Sequence, residues 1–64
     1  MRPLIEILED ERTLAQKLES IYRYLAREDD IELLELLNGK RMRIERDLGK
    51  TQNELKEYVV ALLE

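Results

Sequence analysis

The sequence has 64 residues, of which 41% are charged and 44% apolar, and it contains neither Cys nor His. A chain of this length forms at most one domain, and a lone monomer would bury only about 60% of the surface that its unfolded chain exposes. The missing residue types rule out disulfides and thiolate nucleophiles and argue against zinc sites and histidine general bases.

The net charge is −4, which is opposite to the usual balance of a nucleic-acid-binding protein. The longest uncharged apolar run, from Tyr58 to Leu63, is far shorter than the roughly 18 residues of a membrane span. Glu6 and Glu9 interrupt any signal-peptide core near the N-terminus. We therefore expect a cytoplasmic protein that has no membrane partner.

The first predicted element is a helix over about residues 3–27. Pro3 suits the first helical position, where its missing N–H is not needed. Apolar residues recur at alternating intervals of three and four, which is the pattern of one face of an amphipathic helix. They are Leu4, Ile7, Leu8, Leu14, Ala15, Leu18, Ile21, Tyr22 and Leu25.

A boundary follows at about residues 28–30, where three acidic residues occur in succession. Asp29, with Glu32 three positions later, resembles a capping box, and the acidic side chains also favour a helix N-terminus. A turn this short places the two flanking helices antiparallel.

The second predicted helix covers about residues 30–63 and carries a heptad stripe for four heptads. Its members are Leu34, Leu37, Arg41, Ile44, Leu48, Thr51, Leu55, Tyr58 and Leu62. Asn38-Gly39 and Gly49 could interrupt the helix, and a kink or break at Asn38-Gly39 is the alternative to one continuous helix. The three-four spacing of the stripe is unbroken through both glycines, which favours one continuous helix.

The two helix lengths predict self-association. Helices of about 37 and 51 Å leave the end of the second helix without an intrachain partner. Ile31, Leu33 and Leu36 add a second apolar edge near its start. We therefore predict an all-α, two-helix antiparallel hairpin that self-associates into a four-helix bundle, most simply as a homodimer. The predicted interface comprises Leu34, Leu37, Arg41, Ile44, Leu48, Leu55, Tyr58 and Leu62.

Three polar residues occupy inward positions of the stripes, namely Glu11, Arg41 and Thr51. A buried charge without a partner would cost several kcal/mol, so each should find one. Glu11 and Arg41 are the natural pair, and in a tight hairpin they would meet more easily across a dimer. Such a pair would fix the register of the helices.

A basic stripe on the outer face of the second helix gives an alternative function. Arg43, Arg46 and Lys50 are spaced three and four apart, so they share one face and could contact nucleic acid or an acidic partner. Asp47 and Glu54 can pair with this stripe along the helix. No aromatic residue is interleaved for base stacking.

Two patterns have counterparts in enzymes. Glu32-x-x-Glu35 and Glu54-x-x-Glu57 look like the magnesium-binding pattern of all-α nucleotide pyrophosphohydrolases, but the heptad phase turns these carboxylates away from a common point. Residues 30–50 resemble the first helix of the all-helical chorismate mutases, and Arg41 falls at a substrate-binding position of that family. Gln52 stands where the family has Lys.

The sequence thus favours a non-enzymatic protein–protein interaction or oligomerisation module without catalytic residues, cofactor or metal. The partner is a second copy, in a homodimer or higher homo-oligomer, or another protein. The alternative is a small regulatory nucleic-acid-binding bundle that uses Arg43, Arg46 and Lys50.

Overall fold

The computed structural model describes residues 2–63 as two helices that pack side by side. Helix α1 covers Leu4–Arg27 and helix α2 covers Ile31–Leu63. A loop of three residues, 28–30, reverses the chain and produces a hairpin that measures 50 × 15 × 14 Å. The predicted two-helix hairpin is confirmed. Met1 and Glu64, the ends of the predicted domain, lie outside the described residues.

Backbone groups of the flanking residues terminate α1 at both ends. The carbonyl of Pro3 accepts hydrogen bonds from the amides of Glu6 and Ile7, at 3.1 and 3.2 Å. Pro3 therefore lies just before the first helical residue, one position earlier than expected. At the other end Glu28 is extended, and its amide donates to the Tyr24 carbonyl at 3.0 Å. This extended residue starts the reversal without a glycine.

Asp30, and not Asp29, caps α2. Its carboxylate accepts the amide of Glu32 at 2.9 Å and that of Leu33 at 3.5 Å. The predicted cap was wrong by one residue. The reason is local: the Glu28 carboxylate accepts the amides of Asp29 and Asp30 and holds both residues outside the helix.

Helix α2 continues through both glycines, as the phase of the heptad stripe predicted. Among the glycines of the described chain none has a positive φ, so neither needs the freedom that ends a helix. A Cβ atom added at Gly39 or Gly49 would meet no atom within 4 Å. The glycines are therefore tolerated in this helix without being required by its backbone.

Replacement of Gly39 by Ala is expected to stabilise the fold by about 1 kcal/mol, because Ala costs less backbone entropy in a helix. Urea unfolding followed by circular dichroism measures the gain. Lower stability of Gly39→Ala would contradict an open environment at this position and would indicate close packing there.

The seam between the helices forms a thin core. From α1 it takes Ile7, which is fully buried, and Ile21, which is 8% exposed; they are the two buried apolar side chains within residues 2–63. Most other seam residues are only half-buried, including Leu14, Leu18 and Leu25. A core this thin leaves much of the apolar surface of one chain in contact with water.

Candidate interaction surface

Most of the predicted interface stripe of α2 faces α1 within the same chain. Of the eight predicted positions, Leu34, Leu37, Arg41, Ile44, Leu48, Leu55 and Tyr58 are half-buried along this seam. Leu62 lies beyond it and is 73% exposed. The stripe therefore builds the hairpin within one chain, and association with another chain would need a further surface.

Exposed apolar residues concentrate at the open end of the hairpin, where the start of α1 and the end of α2 lie together. Leu4, Ile5 and Leu8 come from α1. Helix α2 contributes Val59, Val60, Leu62 and Leu63. A second exposed group comprises the predicted apolar edge of Ile31, Leu33 and Leu36 near the loop. Both ends of the hairpin thus present uncovered apolar surface.

Arg2 ties the two helices together at the open end. Its guanidinium donates two hydrogen bonds to the Glu54 carboxylate, at 2.9 and 2.8 Å. It also contacts Asp10 and lies 3.6 Å from the carboxylate of Glu6. A bidentate Arg–carboxylate pair is geometrically specific, so it fixes the start of α1 against α2. Sequence reasoning missed this tie, because Arg2 and Glu54 are 52 positions apart.

This tie makes the stability of the hairpin sensitive to acid. The hydrogen bond from Arg2 lowers the pKa of Glu54, against the opposing effect of partial burial, and the same contact raises the pKa of Arg2. A carboxyl whose pKa is lowered by folding stabilises the fold above its unfolded pKa, about 4.3 for Glu. That contribution is lost as the pH falls through the lower pKa of the folded state.

We therefore expect Arg2→Gln to lower the melting temperature by a few degrees at pH 7 and to weaken the loss of stability below about pH 4.3. The matched control is Arg23→Gln, which breaks an exposed pair with Glu19 at 2.6 Å. Such exposed pairs contribute little. Thermal melts at pH 3 to 7 measure both effects, and identical profiles for the two variants would contradict the tie.

A three-residue network crosses the seam nearer the middle of the hairpin. The Tyr22 hydroxyl donates to the Glu45 carboxylate at 2.7 Å, and Arg41 donates to the same carboxylate at 3.1 Å. The hydrogen bond between Tyr22 and Glu45 raises the pKa of Tyr22 and lowers the pKa of Glu45. Network contacts with Glu45 are also the main cause of the raised pKa of Arg41.

The network gives Arg41 its partner within one chain, and that partner is Glu45 rather than Glu11. Arg41 also donates to the Asn38 side chain at 3.2 Å. Glu11 is half-buried on the facing helix. The structure therefore does not bring Glu11 and Arg41 together in the single hairpin, and their pairing across a dimer stays a prediction.

The third inward polar residue, Thr51, is buried in the seam with 4% of its surface exposed. Its hydroxyl donates to the carbonyl of Asp47, one turn earlier, at 3.1 Å. Within residues 2–63 no buried side-chain polar atom lacks a hydrogen-bond partner. Thr51 is thus satisfied inside its own helix and offers no group to a ligand.

The basic stripe of Arg43, Arg46 and Lys50 is exposed. For these three side chains, the described part of the chain offers no acidic group within ion-pair distance. The expected pairing of Lys50 with Glu54 does not form, because Glu54 is bound by Arg2. Positive charge on this face is therefore less neutralised than the sequence suggested.

The carboxylates of the two E-x-x-E patterns are not gathered at one point. Glu32, Glu35 and Glu57 are exposed, and Glu54 is held by Arg2. Throughout the described chain, no group of three or more acidic side chains is placed where it could hold a metal ion.

Comparisons with protein-family models, with curated proteins and with solved structures gave no match. Neither described helix combines the length and the apolar character needed to cross a membrane. The fold defines the chain as an antiparallel two-helix hairpin with exposed apolar surface, and functional interpretation depends on that surface.

Proposed function

We propose that this protein is a non-enzymatic oligomerisation module whose partner is a second copy of the same chain. Two hairpins together would form a two-fold four-helix bundle. The shared core of the bundle would cover apolar side chains that one hairpin leaves in water.

The surface area of one chain carries this proposal. The hairpin exposes 5318 Å², whereas a compact monomer of this mass exposes about 4,300 Å². The excess of about 1,000 Å² exceeds the roughly 800 Å² that each partner buries in a standard protein interface. The radius of gyration, 14.8 Å, likewise exceeds the value of about 11 Å for a compact domain of this length.

Thermal unfolding over a hundred-fold range of protein concentration tests the proposal. For a folded dimer that unfolds to monomers, the melting temperature rises with concentration, because association stabilises the folded state by mass action. A melting temperature that does not change with concentration, for a fully helical sample, would contradict self-association.

Nucleic-acid binding is the second candidate, supported by the exposed basic stripe. Binding through Arg43, Arg46 and Lys50 would weaken steeply with salt, because each phosphate contact releases counterions. Replacement of all three stripe residues by Glu should abolish a gel shift with RNA or DNA at low salt. A control variant with Glu at Arg23, Arg27 and Lys56 changes the charge by the same amount and should still give the gel shift. No shift by the unaltered protein at low salt would remove this candidate.

A further inference from the structure

Helix α1 carries a second apolar stripe beside the side that packs on α2, with Leu18 at the border and Tyr22 also reaching Glu45 of α2. Its members are spaced three, four or seven residues apart and comprise Leu4, Leu8, Ala15, Leu18, Tyr22 and Ala26. Leu8 is 44% exposed and Tyr22 is 49% exposed. Ala15, Leu18, Tyr22 and Ala26 line an open apolar groove together with Leu48 of α2. The width of this apolar face exceeds what packing against one helix requires.

The stripe is symmetric about Ala15. Leu8 lies seven residues before Ala15 and Tyr22 seven after it, while Leu4 and Ala26 lie eleven residues to either side. Reversal of the helix about Ala15 therefore superimposes the stripe on itself except at Leu18, whose counterpart is Arg12. A two-fold axis at this point would pair Leu8 with Tyr22 and Leu4 with Ala26 of the second copy. The small side chain at the centre allows the two helices to approach closely.

We propose that a second copy of this chain occupies the stripe, with the two α1 helices antiparallel and the two-fold axis at Ala15. This inference rests on the proposed function and adds to it the face and the direction of association. The stripe is part of the uncovered surface of the hairpin derived above. Isologous contacts of this kind close into a dimer instead of extending into a filament.

Charges of both signs lie beside the stripe. Arg12 lies three residues before Ala15 and Glu19 four residues after it. The antiparallel pairing places Arg12 beside Glu19 of the second copy, and it does so twice. The same pairing also brings Glu11 level with Glu19 of the second copy. The antiparallel direction therefore rests on the symmetry that pairs Leu8 with Tyr22 and Leu4 with Ala26.

The same arrangement bears on the predicted pair of Glu11 with Arg41. Tyr22 and Arg41 donate to the same Glu45 carboxylate, so Arg41 lies beside Tyr22. The two-fold axis makes Tyr22 of the second copy level with Leu8, three residues from Glu11. The predicted pair of Glu11 with Arg41 across the dimer is therefore compatible with this direction.

Single cysteines test the arrangement, since the natural chain has none. Ala15→Cys should form a disulfide-linked dimer under mild oxidation, because its Cα atoms would lie within the usual disulfide range of about 4.4–6.8 Å. Its rate should exceed that of Ala61→Cys, an exposed alanine on α2, by about a hundred-fold because of the effective concentration inside a dimer. Circular dichroism verifies that both variants are helical.

Direction is tested by cysteines away from the axis. A mixture of Leu8→Cys and Tyr22→Cys should cross-link, and Leu8→Cys alone should not; the reverse result would overturn the antiparallel direction.

Sedimentation of the unaltered protein separates the two proposals. A dimer without cross-linking at position 15 would overturn the assigned face and leave self-association intact. A folded monomer would overturn both.

Discussion

Replacement of Ile7 by Ala is expected to lower the free energy of unfolding by about 2–5 kcal/mol. Ile7 is 0% exposed and is the one apolar side chain that residues 2–63 bury fully. Its truncation removes apolar burial and leaves a cavity in a core that has little else. Small domains of this size have about 3–5 kcal/mol in total, so much of the variant would be unfolded. Urea titration followed at 222 nm measures the loss.

The control for Ile7→Ala is Ile5→Ala, the same substitution two residues earlier. Ile5 is 66% exposed, and its truncation should change stability by no more than about 0.5 kcal/mol. Equal effects at the two positions would contradict the orientation of α1 about its own axis, because that orientation alone buries Ile7 against α2 and exposes Ile5.

Leu8→Glu is expected to weaken the dimer by at least about a hundred-fold. In a single hairpin Leu8 is 44% exposed, so a carboxylate there can reach water. In the proposed interface it would lie against Tyr22 of the second copy, where an unpaired charge costs several kcal/mol. Each 1.4 kcal/mol changes the dissociation constant about ten-fold. Analytical ultracentrifugation of the variant over a range of concentrations measures the change.

Leu36→Glu is the matched control for Leu8→Glu. Leu36 is 65% exposed and belongs to the apolar edge of α2 near the loop, outside the stripe of α1. The dissociation constant should stay within about three-fold of that of the unaltered protein. Loss of the dimer with Leu36→Glu and its retention with Leu8→Glu would place the interface on the edge near the loop.

The features predicted correctly are those that depend on local sequence. Helix limits near Pro3 and Asp30 follow from proline and carboxylate chemistry, and the continuity of α2 through Gly39 follows from the phase of the heptad stripe. The pair of Glu19 and Arg23 is of the same local kind, because positions four apart on a helix are neighbours.

The features that were missed depend on how one helix is rotated and shifted against the other. The tie between Arg2 and Glu54 and the hydrogen bond from Tyr22 to Glu45 both cross the seam. Apolar periodicity defines which side of each helix is buried. It does not determine how far one helix is shifted along the other, and this shift decides which polar residues meet across the seam. The exact cap at Asp30 was missed because several adjacent carboxylates compete for the same amides.

The second stripe of α1 is visible in the sequence only as part of a single broad apolar face. All its residues except Ala26 belong to the broad apolar face that the sequence predicts for α1, which also contains Ile7 and Ile21. The structure divides that face, since Ile7 and Ile21 are buried against α2 while Leu8 and Tyr22 are exposed. An apolar face wider than one partner can cover therefore indicates a second partner.

Sedimentation equilibrium of the unaltered protein at micromolar concentration tests the central claim most directly. A single hairpin has a mass of 7.7 kDa, and the account predicts a folded species of twice that mass. A stable, fully helical species of 7.7 kDa that does not change with concentration would contradict it.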